Sequence, residues 1–534
     1  MTVRSLISAG AAAAVLAAGA ASSDAQPADP TTVASQIRVT RFVVTGSTVF
    51  TPEELAAVLP TPSAGLSMTL SDIEAVAERV TALYRQRGYL LARAYAPEQD
   101  VVDGVVTIAV LEGRVASIDV EGARHYGADF LRSYIERGST PWVFHADRFE
   151  RRLLLLNDLP GLSVKSTLAP GSEVGTTRVI LDVERDRFLT GTLEVNNYGT
   201  ESTGRERFSG SLTLNSPLGI GDALSLRAIV SLGDLWLIRA GYVLPVNREG
   251  TRIGASYIRL QAGVGAKFAD LGIVGTGEMA SVFVSHPFVR SREFSLYGQI
   301  GFDYKDFQTT VLQQAASRDH LRVLSAGLGA VGVDRWRGLD QVSITLFQGI
   351  GDFLDGLAAD NDPRASRRGA GGEFTKGTAE VSRLQPLIGP TSLYLRGAAQ
   401  LSSTRLVAPE QFIVGGQGSV RGYPLGELAG DSGFSTTLEL RWNGPGIAER
   451  PAFGGKTWAD VLQLFAFIDY GGVWIRAPSV GQRRVEDITG TGGGVRFIVP
   501  DRLQVTVELA TQADGRAPSD KRNPILYFQV VTLF

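Results

Sequence analysis

Arg421 stands in the run Gly415-Gly416-Gln417-Gly418-Ser419-Val420-Arg421-Gly422-Tyr423, whose glycines permit a sharp fold of the chain. A guanidinium placed there offers a planar fork that a carboxylate can accept bidentately. By residue type alone, a solvated arginine on a surface loop is the simpler reading, since loops commonly carry charge. Other candidate chemistry fails on context. Gly327-Leu328-Gly329-Ala330-Val331-Gly332 has dinucleotide-loop spacing, but Val333-Asp334-Arg335-Trp336 does not begin a helix, so strand-bend glycines explain it better. Asp360-Asn361-Asp362 could hold calcium, but the remaining ligands of a calcium loop are missing, and a solvated loop is expected. The chain has no cysteine, which excludes disulfides and thiolate metal sites. Its four histidines, His125, His145, His286 and His320, are scattered. No nucleophile elbow, zinc-protease helix or phosphate-binding loop occurs. The expectation is a protein without catalytic residues, cofactor or metal, and the net charge of −3 suggests no nucleic-acid partner.

The elements that would position Arg421 are strands. From Phe188 onward, helical periodicity nearly vanishes and short alternating segments take over. Leu224, Leu226, Ala228 and Val230 alternate with Ser225, Arg227 and Ile229. Phe434, Thr436, Leu438, Leu440 and Trp442 alternate with Ser435, Thr437, Glu439 and Arg441. Leu503, Val505, Val507 and Leu509 alternate with Gln504, Thr506 and Glu508. A soluble sandwich would give the same pattern. A membrane barrel is favoured by three features: the length of the stretch without covering helices, the final strand Tyr527–Phe534 ending on aromatic Phe534, and an N-terminal secretory signal. That signal comprises Arg4, the apolar Leu6–Ala21, and the small-x-Ala site Ser23-Asp24-Ala25 before Gln26. At roughly 20–22 residues per strand with its turns, residues 188–534 hold about 16 strands. Asp352 to Gly372 reads as one long loop, and Asp306 to Asp319 as another.

Between the signal (residues 1–25, with a polar lead at 26–35) and the barrel lies a repeat. Arg38-Val39, Phe42, Val44, Gly46 and Leu55 recur at one constant offset as Arg114-Val115, Ile118, Val120, Gly122 and Leu131. In the first copy, Ile73, Val76, Ala77, Val80 and Leu83 or Tyr84 make one helix face that Gly88 ends; strands follow at 89–95 and 105–111. In the second, Asp147 precedes a helix with Phe149, Leu153 and Leu156 inward, and Pro160-Gly161 ends it. Strands follow at 162–168 and 179–183. Each copy reads strand, helix, helix, strand, strand, giving small α+β domains at 36–113 and 114–187 before a barrel at 188–534.

Several stretches resemble a known family: the two-partner secretion outer-membrane transporters (TpsB family), the ShlB/FhaC/HecB-type haemolysin secretion/activation proteins. They are Tyr84-Arg85-Gln86-Arg87-Gly88-Tyr89, Val106-Thr107-Ile108-Ala109-Val110-Leu111-Glu112-Gly113-Arg114, Leu155-Leu156-Asn157-Asp158-Leu159-Pro160-Gly161, Asn197-Tyr198-Gly199-Thr200 and Pro217-Leu218-Gly219-Ile220-Gly221-Asp222. Most specific are Val420-Arg421-Gly422-Tyr423, similar to the family's motif on a loop folded into the barrel lumen, and Phe467-Ile468-Asp469-Tyr470-Gly471, similar to the motif on the inner wall that receives it. The resemblance implies two polypeptide-transport-associated (POTRA) domains, a 16-stranded transmembrane antiparallel β-barrel, and ATP-independent export of a large adhesin or haemolysin with an N-terminal secretion domain. It also implies contact with outer-membrane lipid and, during biogenesis, with the barrel assembly machinery. A barrel-assembly factor is the alternative, and a passive porin a weaker one. Strand parity agrees with the motif: Leu462, Leu464, Ala466, Ile468 and Tyr470 would face lipid, and Gln463, Phe465, Phe467 and Asp469 a polar lumen. Arg421 and Asp469 are therefore expected to meet there. Breaking a dry pair would cost ~3–5 kcal/mol and a wet one ~0–1 kcal/mol; a wet lumen places the expectation in the lower half of that span.

Some members of the family carry an N-terminal plug helix on a long linker. Here the ten residues from Gln26 to Ser35 would reach at most ~33–36 Å extended and ~15 Å as a helix, with Pro27 and Pro30 inside. No N-terminal plug is expected, and the loop around Arg421 is the expected obstruction. Single-channel conductance should be unchanged when residues 26–32 are removed; a large rise would show that the segment blocks the pore.

Overall fold

The protein is described by a computed structural model over residues 36–61, 65–136 and 141–534. The expected signal and polar lead lie outside the described residues. The first α/β unit is built on Val105–Leu111, which pairs parallel with Arg41–Thr45 and antiparallel with Arg93–Tyr95. The helix Leu70–Gln86 starts on a reciprocal cap in which Thr69 N–H donates to Asp72 Oδ2 (2.8 Å) and Asp72 N–H to Thr69 Oγ1 (3.3 Å). Its residues Ile73, Val76, Ala77 and Val80 are buried, as are Val106, Ile108 and Val110 of the central strand. A short strand, Ile37–Val39, pairs with Leu66–Met68.

The second α/β domain carries a four-stranded sheet in the order Trp142–Val143, Arg114–Glu121, Thr176–Asp186, Leu162–Pro170. The helices Ala128–Ile135 and Ala146–Asn157 cover it through Leu131, Ile135 and Leu156 against Val115, Ile118, Val179 and Leu181. Each copy thus inserts a short strand between its helices that the five-element reading lacks. The expected strand at 89–95 shrinks to Arg93–Tyr95. The residues before it cap the preceding helix, Tyr89 N–H donating to Tyr84 O at 2.9 Å.

The remainder is a closed barrel of 16 antiparallel strands, from Leu189–Asn196 to Ile525–Leu533. Period-two alternation gives it an apolar outer face, with Ile300, Ile344, Leu346 and Leu401 all more than half exposed. The last strand returns to the first through five residue pairs, Thr192↔Leu533 to Asn196↔Gln529, against eight between the first and second strands, so closure rests on a short ladder. Phe534 extends that ladder, exchanging backbone hydrogen bonds with Gly191 at 3.0 and 3.1 Å. A Cβ on Gly191 would stand 2.4 Å from its ring.

Asp306 to Asp319 is not a loop. The strands Phe294–Val311 and Gln314–Val333 run through it and reverse at Leu312-Gln313, where φ is +50° and +64°. Beyond the membrane both faces of a hairpin are wetted, so polar composition no longer separates strand from loop. Gly327, Gly329 and Gly332 lie within the second of these strands. Asp352–Gly372 is a loop, between Leu339–Gly349 and Phe374–Pro386.

Candidate functional site

Four adjacent strands form the receiving wall: Ser432–Asn443, Leu462–Trp474, Val485–Val499 and Leu503–Gln512. Their register sets lumen-facing residues in rows. Glu439 lies opposite Phe467, which lies opposite Gly492; Arg441 opposite Phe465, then Gly494, then Glu508. The glycines are spatial necessities. A Cβ on Gly492 would stand 2.8 Å from Phe467 Cζ, and one on Gly494 2.7 Å from Phe465 Cζ. The two rings therefore lie over bare backbone and present their faces inward. Gly490, opposite Asp469, leaves room for the incoming loop: its Cβ would sit 1.8 Å from the carbonyl oxygen of Arg421.

The loop arrives as a hairpin, Phe412–Val414 paired with Leu428–Gly430, and its tip turns on Gly415 and Gly422, at φ +112° and +92°. Arg421 donates from Nε to Asp469 Oδ2 (2.7 Å) and from Nη2 to Asp469 Oδ1 (2.9 Å), a bidentate fork completed by its backbone N–H on Oδ2 (3.1 Å). Nη1 reaches Glu508 at 3.2 Å and Glu439 at 3.4 Å. The guanidinium carbon stands 3.2 Å from the centroid of the Phe467 ring. Glu439 is held in turn by Arg496 (2.7 and 3.0 Å) and Arg441 (2.7 Å), and Arg496 lies 3.8 Å from the Phe465 ring. Three arginines face three carboxylates, so formal charge balances. One atom is left over: Glu508 Oε1 is buried without a hydrogen-bond partner.

The other motif residues fix the loop. Val420 and Tyr423 are fully buried, with Val414, Leu428, Val473, Ile475 and Ile488 around them. Gly471 lies beneath this cluster, where a Cβ would meet Val414 at 2.9 Å and Val420 at 3.1 Å. Tyr423 Oη donates to Asp514, and its carbonyl accepts from Tyr527 Oη at 3.2 Å. The interior is thus not uniformly polar: an apolar cluster seats the loop beside the ion network. Arg421 is 5% exposed and Asp469 0%. That corrects the expected wet pair: the dry-pair cost of about 3–5 kcal/mol for losing one partner applies.

A second fastening lies near the outer mouth. Asp431, fully buried, accepts the backbone N–H groups of Leu406 (2.8 Å) and Arg476 (2.7 Å) and the Arg367 guanidinium. Arg367 belongs to the long loop 352–372. Leu357 and Ala370 of that loop share a buried cluster with Leu406, Val407, Phe374, Leu321 and Val323. Glu410 is gripped by Lys305 (2.9 Å) and Lys376 (2.7 Å) from the wall. Loop 352–372 is therefore packed against the stem of the inward loop. Asp362 is paired with Arg364 at 2.8 Å, which leaves its carboxylate committed within the loop.

Sequence reasoning singled out Arg421 and Asp469, which the structure brings together, but not Glu439, Glu508, Arg441 and Arg496. The polar parity of the strands held a signal for the first three. The glycine run Gly490–Gly494 was a signal for bulky neighbours on the wall.

A closed barrel with an ion-paired loop folded into it, preceded by paired α/β domains, defines the class of outer-membrane β-barrels that carry periplasmic α/β domains. The sequence matches the family "Haemolysin secretion/activation protein ShlB/FhaC/HecB" over residues 175–497 and the "POTRA domain, ShlB-type" over residues 37–113. The chain belongs to this family and is an outer-membrane transporter of two-partner secretion, with its POTRA domains in the periplasm. It is similar to the heme/hemopexin transporter protein HuxB of Haemophilus influenzae strain 86-028NP, at 24% identity over 87% of this chain and 81% of the relative. It is also similar to the outer membrane transporter CdiB of Escherichia coli O6:K15:H31, at 26% over 76% and 69%. Among solved structures, CdiB from Escherichia coli superposes with a TM-score of 0.75 at 22% identity, covering 96% of this chain and 93% of that one. A Haemophilus ducreyi BamA lacking POTRA domains 1–3 shares the fold at a TM-score of 0.55 and 15% identity, over 93% of this chain and 100% of that one.

Arg421→Ala leaves Asp469 and Glu508 buried without their cation, while every ladder bond of the barrel remains. Secretion should fall strongly with little loss of heat-modifiable, assembled barrel; wild-type secretion would contradict a working role for the pair. Replacing residues 353–371 by a short Gly-Ser turn should raise single-channel conductance by roughly twofold or more. Unchanged conductance would leave the inward loop as the sole obstruction.

Proposed function

We propose that residues 36–113 and 114–187 read the cargo and that residues 188–534 conduct it, with Arg421 on Asp469 setting the resting shape of the lumen. The cargo is a large exoprotein of adhesin or haemolysin type that presents an N-terminal secretion domain. It is taken from the periplasm unfolded, threads the barrel without ATP, and folds outside. The observation that carries the recognition step is the edge strand Leu162–Pro170: nine residues with a partner on one side only within their sheet. An extended chain can add to such an edge through main-chain hydrogen bonds, which demand little of its side chains. The apolar outer face supports contact with outer-membrane lipid, and insertion of the barrel is assigned to the barrel assembly machinery, with Phe534 as part of the signal it reads.

Deleting residues 36–185 should abolish secretion of the partner and binding of its N-terminal domain, while the barrel still reaches the outer membrane. Normal secretion by that truncation would sink the recognition step.

A further inference from the structure

The stretch Leu155–Gly161 takes no part in the lumenal site, yet two of its side chains tie recognition to the barrel. Asn157, at the end of its helix, accepts from Val164 N–H (2.8 Å) and donates to Val164 O (2.9 Å), holding the edge strand Leu162–Pro170 by both backbone groups of one residue. Asp158 faces the barrel. Its carboxylate takes Nε and Nη2 of Arg290 at 2.8 Å each, and its carbonyl oxygen takes Nη2 of Arg252 at 2.7 Å. Arg290 ends one barrel strand, Ile273–Arg290, and Arg252 begins its neighbour, Arg252–Val264. Two guanidinium groups from two strands on one residue fix orientation as well as distance; a single ion pair would leave a pivot.

Three successive barrel turns close around this clamp. In the turn 216–222, a Cβ on Gly221 would stand 2.8 Å from Leu159 and 3.4 Å from Phe130, and Ser216 O lies 2.9 Å from His125 Nε2. In 246–251, the Arg248 guanidinium lies 4.7 and 4.9 Å from the ring centroids of Phe130 and Tyr134, and its Nε donates to Ser133 Oγ at 3.0 Å. In 291–293, Arg292 N–H donates to Glu150 at 3.1 Å.

We propose that Asn157 and Asp158 are positioning residues for export: Asn157 holds the recognition edge, and Asp158 grips Arg290 and Arg252, so that cargo taken on that edge is delivered at one place on the rim of the barrel. This rests on the reading that the periplasmic domains hold the cargo. The clamp acts after binding, so its loss separates capture from delivery.

The test uses the full-length transporter expressed with its secreted partner. Three quantities are read: partner in the medium, heat-modifiable barrel, and Kd of the partner's N-terminal domain for the purified transporter. Asp158→Ala and Arg290→Glu should each lower secretion roughly tenfold, with folded barrel and Kd changed by less than about twofold. The exchange of Asp158→Arg with Arg290→Asp should recover secretion to within about threefold of the wild type. Wild-type secretion by both single variants would overturn the proposal. So would a loss of secretion matched by an equal loss of folded barrel, because the clamp would then serve assembly alone. If Kd is instead unchanged when residues 36–185 are deleted, the recognition reading fails while the clamp stands or falls on the secretion values.

Discussion

A guanidinium buried inside the barrel is the interaction on which the lumen depends. Removing Arg421 from water is costly, and the wall meets that cost with a bidentate carboxylate, two further acids and an aromatic face. The three carboxylates come from three different strands, with Phe467 on the same strand as Asp469, so the loop can settle only where those strands are in one register. The position of the loop thus reports on the closure of this part of the barrel.

That arrangement requires absences as much as contacts. Phe465 and Phe467 can lie flat because Gly494 and Gly492 carry no side chain, and the loop backbone can descend because Gly490 carries none. A residue as small as alanine on the glycine row would displace a ring or the loop. The unpartnered Glu508 Oε1 leaves the network one hydrogen bond short of saturation.

The same logic recurs at both ends of the barrel. At the outer mouth, Asp431 and Glu410 each gather groups from separate segments and pin the stem of the inward loop to the wall and to loop 352–372. At the periplasmic end, Asp158 gathers two arginines and holds the second α/β domain against the turns. Single acidic residues that each gather several donors are the joints by which separate segments are pinned to the barrel.

Much of this was legible before any coordinates. Alternation with period two is local to a strand, so the outward face of Leu464, Ile468 and Tyr470 and the inward face of Phe467 and Asp469 could be read directly. The motif around Arg421, the repeat of the α/β domains and the strand number followed from spacing and resemblance. Hidden were the features that depend on which strands lie side by side and in what register. Arg421 meets Glu508 across 87 residues of sequence, and Asp158 meets Arg290 across 132. The polar hairpin 306–319 passed for a loop because its composition is polar on both faces, and the short strands Leu66–Met68 and Trp142–Val143 went unseen because three and two residues are too few to show an alternation. Residue order determined which way each side chain points; the folded barrel decided which of them meet, because alternation fixes the face of each residue but leaves a strand free to slide by two, and turns, bulges and closure set the register.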